Sequence, residues 1–167
     1  NFVTKLKKCA CIEPMYAELP FYDRFQAAKD DGFEAVEFWG WTDKDLGRVE
    51  RAASQAGIAI SGFNGDADFS LIAREERAEY LAFLRRSVDA AKRVGASSLT
   101  IHSNALGEGG RVLNRYDGLS DTVKICAMFD ALKACAEIAE ESGIRMHLEP
   151  LHVTTHHVGN FPQHTPM

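Results

Sequence analysis

The chain has 167 residues, 46% of them hydrophobic and 26% charged, with 19 basic against 24 acidic side chains for a formal net charge of −5. That composition fits a globular domain able to bury a sizeable core, and no apolar run approaches the roughly 18 residues that span a bilayer, so no membrane association is expected. No basic stripe with interleaved aromatics appears, which argues against nucleic acid as a partner. The lead-in from Asn1 to Lys8 is basic but has no apolar stretch behind it, so no secretory signal is expected and a cytoplasmic location is.

In chain order, a β-rich run from Lys8 to Pro14 opens the pattern. A helix follows with Pro20 in its first turn, where a missing N–H costs nothing, and runs to about Asp31. Gly32 ends it, and Phe33 to Trp39 reads as the second strand. The next helix has Thr42 or Asp43 as its cap and Leu46, Val49 and Ala53 at helical spacing, and it ends at Gly57 before a third β-rich run to Asn64. Residues from about Arg74 to Val94 place Tyr80, Leu84, Val88 and Ala91 on one face. Gly95 and the run to Asn104 follow. The longest helix, Asp121 to Ser142, carries Ile125, Phe129, Leu132, Ala136 and Ala139 as an apolar stripe backed by Lys124, Lys133, Glu137 and Glu141. After Gly143 a fifth strand leads to Glu149-Pro150-Leu151. The rest, rich in histidine, matches neither helix nor strand, and Pro162 and Pro166 fall where a helix should begin. Cys9, Cys11, Cys126 and Cys135 lack metal-finger spacing and read as apolar packing residues of a reducing compartment.

Strict alternation of strand and helix argues for a parallel sheet covered by helices, either doubly wound or closed into a barrel. The barrel is favoured. Cys11-Ile12-Glu13-Pro14 stands where a dinucleotide-binding fold would carry its glycine-rich loop, and polar or aromatic residues recur at each strand's carboxyl end: Glu13, Trp39 and Trp41, Asn64, His102 and Asn104, and Glu149. A full (β/α)8 TIM barrel needs eight strands and about 250 residues. The expectation is therefore a single TIM-barrel domain over residues 1–167, truncated after the fifth strand. Its two open sheet edges predict self-association or further chain.

The richest local constellation is on the fifth strand, where alternation puts His147 and Glu149 on one face. A carboxylate at that strand end can bind a hard divalent cation or remove a proton alpha to a carbonyl. His102 and Asn64 are candidates to line a substrate, or a structural histidine and a turn residue. Glu37 and Trp39 face the same way, Glu37 with a structural hydrogen bond as its stronger reading and Trp39 as one wall of a sugar-sized pocket or of the core. His152 and His156 stand four apart but in a β-branched stretch that disfavours helix, so a dedicated metal site there is not expected.

Several segments carry a resemblance: Glu18-Leu-Pro-Phe-Tyr-Asp-Arg-Phe25, Asp31-Gly-Phe-Glu-Ala-Val-Glu-Phe38, Gly62-Phe-Asn64 and Leu148-Glu-Pro-Leu151. Together they resemble the xylose isomerase-like TIM-barrel superfamily, and within it hydroxypyruvate isomerases and related sugar isomerases and epimerases. The resemblance implies a small carbohydrate or keto-acid substrate and a divalent metal, Mn²⁺ or Mg²⁺, held by four side chains of the later strands. Glu149 would be the first of these ligands and a catalytic base acting through a cis-enediolate, with His147 beside it and His102, Asn64, Trp39 and Glu37 toward the substrate. Three ligands and a second catalytic Glu belong to strands beyond the fifth. Where the family continues with Asn and an Asp-His-x-Gly segment, His152 and His156-His157-Val-Gly159 stand instead. His147 also resembles a residue of carbon–carbon glycoside lyase barrel subunits, which act with a small β-rich partner. A metal-dependent abasic-site endonuclease shares the barrel but fits the acidic balance poorly. An inactive fragment binding metal through its C-terminal histidines is the non-catalytic alternative.

Overall fold

The computed structural model describes residues 6–161; residues 1–5 of the basic lead-in, and Pro162 and Pro166, lie outside the described residues. Strands β1 (Cys9–Cys11), β2 (Ala35–Phe38), β3 (Ala59–Asn64), β4 (Ser98–Ile101) and β5 (Arg145–Leu148) alternate with helices α1 (Arg24–Asp30), α2 (Leu46–Ala56), α3 (Arg77–Val94) and α4 (Asp121–Ser142). The alternation is the one the repeat predicts. Gly32, Gly57, Gly95 and Gly143 all have positive φ. At Gly57 and Gly143 the left-handed residue closes α2 and α4, and its N–H returns to the last turn, a geometry that disfavours any side chain with a Cβ. No helix of the described residues is long and apolar enough to cross a membrane.

The described chain separates into two compact units: the residues through Asn64 with Asp89–Ser98, and Gly65–Val88 with the residues from Leu99 onward. In the first, β1, β2 and β3 lie side by side in chain order and parallel, with Cys9 opposite Ala35 and Ala35 opposite Ala59. Val36, Phe38, Ile60 and Phe63 are buried there, and the rings of Phe38 and Phe63 stack at 5.2 Å.

The segment Leu19-Pro-Phe-Tyr-Asp-Arg-Phe25 has a clear structural task. Its Arg24 guanidinium donates to the carbonyls of Ile12, Glu13, Ala17 and Leu19 at 2.8–3.4 Å and so fixes the loop after β1. Pro20 stands just ahead of a 3-10 turn, Phe21–Asp23, that leads into α1. The cap of α2 is Asp45, whose side chain accepts from the N–H groups of Gly47 and Arg48, and not Thr42 or Asp43. Those two are spent in a turn closed by Lys44 N–H on the Trp41 carbonyl. That turn carries the nearly buried Lys44 ammonium onto Glu13 at 3.2 Å and over the rings of Phe21 and Phe38.

In the second unit β4 and β5 are neighbours. Helix α3 begins at Arg77 and not Arg74, because residues 74–76 form the turn before it. Helix α4 has the predicted bounds, but it buries a different face. Ala127, Met128, Ala131, Cys135 and Ile138 are the buried row, whereas Ile125 and Phe129 are 57% and 62% exposed. This helix is apolar on both sides, so a spacing of three and four marks two rows equally well and does not say which faces the core. For the same reason Cys126, beside Ile125, is exposed while Cys135 is buried, and Cys9 is exposed on β1; packing in the core describes Cys135 alone among these three.

The two faces make a direct test. Ile138→Ala, at 3% exposure, should cost about 2–5 kcal/mol of unfolding free energy in urea, and Ile125→Ala no more than about 0.5. Equal costs would contradict the observed orientation of α4.

Candidate functional site

The site forms in the second unit at the carboxyl ends of β4 and β5. The Glu149 N–H donates to the Ile101 carbonyl at 3.0 Å, which carries the β5 end alongside the β4 end. His102 follows Ile101 directly, so one backbone bond sets its ring beside the Glu149 carboxylate. His102 Nε2 lies 3.2 Å from Glu149 Oε2. On the ring's other side Nδ1 lies 3.1 Å from Oδ2 of Asp66, and the His102 backbone N–H donates to the same oxygen. Asp66 comes from the segment after β3 and is 2% exposed; His102 is buried too, while the Glu149 side chain is 52% exposed. One imidazole thus joins a sealed carboxylate to an accessible one.

The electrostatics follow from this geometry. Burial disfavours the charged ring, but the hydrogen bonds and charges of Asp66 and Glu149 outweigh it and push His102 up to about 9. The hydrogen bond from His102 holds Glu149 below the usual carboxylate range against partial burial, and the nearby His102 and His157 charges add to it. Burial raises Asp66, with its bonds to His102 pulling the other way. At neutral pH the ring is an imidazolium and Glu149 is ionised, which is the form a base needs.

Neighbouring loops are tied down around this trio. The fully buried Asn104 accepts from Ser103 Oγ and from the Phe161 N–H, each at 2.8 Å, and donates to the Asn114 carbonyl. Asn104 therefore anchors the segment after β5 to the loop after β4. His157 donates Nδ1–H to the Gly110 carbonyl at 2.7 Å, a second tie between the same segments.

Of the residues singled out in the sequence, the structure brings together His102 and Glu149. His147 is exposed on β5, and the imidazole that meets Glu149 is that of His102. In the first unit Asn64 is half-buried at the end of β3, Trp39 is 55% exposed, and Glu37 is exposed, not buried against a partner. Glu13 is spent on the Trp39 N–H and Lys44. His152, His156 and His157 gather with ring centres 5.4–6.3 Å apart, outside any helix. Among the described residues no group of three or more His, Cys, Asp or Glu is arranged to hold a metal. Asp66 is the residue that sequence reasoning missed. Asn64-Gly65-Asp66 reads as turn chemistry, and its partner is 36 positions away.

Titratable groups at the carboxyl ends of parallel strands stand where parallel α/β folds place their sites. A family model described as xylose isomerase-like TIM barrel matches residues 25–166, and the chain belongs to that family. No curated protein sequence matches it. Solved structures similar to it include AP endonuclease, family 2, from Brucella melitensis, at 22% identity and TM-score 0.68 over 89% of this chain and 57% of that one. The 3-keto-D-glucoside 4-epimerase of E. coli is similar at 19% identity and TM-score 0.69, over 88% of this chain and 57% of that one. So is D-psicose 3-epimerase with D-tagatose from Clostridium cellulolyticum H10, at 14% identity and TM-score 0.66, over 87% and 53%. At these identities the likeness is one of fold. The chain spans about half the length of these three proteins.

The raised His102 value fixes a pH dependence. A folded-state value of about 9 against 6.5 for an ordinary histidine means that the folded protein holds the extra proton, so this stabilisation is complete below pH 6.5 and is lost as pH rises through about 9. Urea midpoints in chelator-treated buffer should fall across that window, and His102→Gln should flatten the fall. A profile unchanged by His102→Gln would show that the ring is not held between two carboxylates.

Proposed function

We propose that this chain is the β1–β5 portion of a sugar or hydroxy-keto acid isomerase or epimerase, hydroxypyruvate isomerase-like in its substrate class. The observation that carries the proposal is the 3.2 Å contact between His102 Nε2 and Glu149 Oε2 at adjacent strand ends. Family membership and the epimerases among the similar folds support the same class.

In this reading Glu149 removes the proton alpha to the substrate carbonyl, the C–H electron pair moves into a C=C bond, and the carbonyl oxygen becomes an enediolate oxyanion. The His102 imidazolium keeps Glu149 ionised beforehand, and its Nε2–H is left to the developing oxyanion once Glu149 takes up the proton, where a charge-assisted bond is strongest. Return of the proton to the neighbouring carbon, with the proton of the adjacent hydroxyl passing to the oxyanion by way of His102 Nε2, gives isomerisation. Epimerisation would need a proton donor on the opposite face, the role the resemblance gives to a second Glu beyond the fifth strand. Asn64 and Trp39 are proposed to contact substrate hydroxyls and a sugar face. Glu37 and His147, both exposed, are proposed only as outer contacts.

A divalent cation, Mn²⁺ or Mg²⁺, belongs to the proposal through Glu149, as a Lewis acid toward the carbonyl and hydroxyl oxygens. The described residues do not by themselves make that site: no three donors converge, and one Glu149 oxygen is engaged by His102. The proton chemistry above is therefore assigned to the protein's own side chains alone.

The test is deuterium uptake from D₂O at the carbon alpha to the carbonyl, followed by NMR with D-fructose, D-tagatose and hydroxypyruvate as probes, with Mn²⁺ and with chelator. Uptake that Glu149→Gln lowers by about 10²–10⁴-fold is expected. Uptake indifferent to Glu149→Gln would refute the proposal.

A further inference from the structure

We infer that Asp66 is a positioning residue that fixes the ring of His102 so that Nε2 is the nitrogen presented to Glu149 and to the substrate beside it. The inference rests on the isomerase reading for the role of that nitrogen, but the placement of the ring stands on geometry alone.

The backbone is built to deliver this carboxylate. Gly65 N–H donates to the Thr100 carbonyl at 2.8 Å, and a Cβ on Gly65 would lie only 3.1–3.2 Å from Leu99 and Leu84, so the chain passes close against β4 immediately before Asp66. Ala67 then takes φ 44°, in the left-handed region that disfavours a residue with a side chain. Phe69 N–H closes the turn on the Asp66 carbonyl at 3.0 Å. Backbone strain of this kind persists where the surroundings over-determine it, and here it aims one buried side chain.

Asp66 holds His102 at two points, by the backbone N–H and by Nδ1. The second fixes the ring about its own axis and requires that Nδ1 carry hydrogen, since an ionised carboxylate only accepts. A free neutral imidazole prefers its proton on Nε2. Beside Asp66 that preference is inverted, which leaves Nε2 as the nitrogen able to exchange a proton with Glu149 or with substrate. Asp66 itself is sealed from solvent and meets the ring on the side away from Glu149. It acts through His102.

The test reads ring nitrogens and activity separately. In histidine-labelled protein, ¹⁵N NMR of the neutral His102 ring should show the Nδ1–H form as the majority. Asp66→Ala, which removes the one oxygen that accepts from both the backbone N–H and Nδ1, should move the majority to Nε2–H. On active protein the same variant should lower kcat for the probe that exchanges deuterium by about 10²-fold or more with KM within about twofold. An Nε2–H majority in the unaltered protein would overturn the inference without any variant, as would an unchanged tautomer in a folded Asp66→Ala. A tautomer switch in a protein that exchanges no deuterium on any probe would uphold the placement by Asp66 and count against the isomerase reading alone.

Discussion

A carboxylate shut away from water has to be met by donors, and the second unit is organised around meeting one. Asp66 is 2% exposed and accepts from both the backbone N–H and the ring of His102. Desolvation alone would neutralise either partner; paired, each offsets the cost of the other's charge. The ring so held has one nitrogen left, and the backbone bond from Glu149 to Ile101 brings the second carboxylate to it. Packing, charge and candidate chemistry therefore depend on one imidazole held from both sides.

Much of the fold is legible in the sequence because glycine and alternation are local signals. Each of the four glycines ending a helix-like segment has positive φ, and α4 begins and ends where Asp121 and Ser142 say it should. What periodicity cannot carry is which side of a helix faces inward when both are apolar. The row from Ile125 to Ala139 and the row from Ala127 to Ile138 satisfy the same spacing, and the structure buries the second. The cap of α2 shifted from Thr42 or Asp43 to Asp45 for a comparable reason: Lys44 is drawn to Glu13, 31 positions earlier, and the turn follows it.

The candidate site was legible by halves. Glu149 before Pro150 and His102 at a strand end stand out as residue types at the right place, and the structure joins them. Alternation in the sequence puts His147 and Glu149 on one face, yet β5 ends at Leu148, His147 is exposed, and closeness along the chain did not make it the partner. The partner arrives from the next strand, and the residue behind it from a turn after β3 that looks like ordinary loop chemistry. Long-range pairs of this kind leave no mark in spacing. Glu13 shows the converse, a rim carboxylate that is fully occupied in joining two loops.

A double-mutant cycle on Asp66→Asn and His102→Gln, read by urea unfolding at neutral pH, tests the central pairing most directly. Because both side chains are buried, the account predicts a coupling of about 1–3 kcal/mol between them. Single-variant costs that add to within about 0.3 kcal/mol would contradict it, since independent residues cannot be what holds the ring in place.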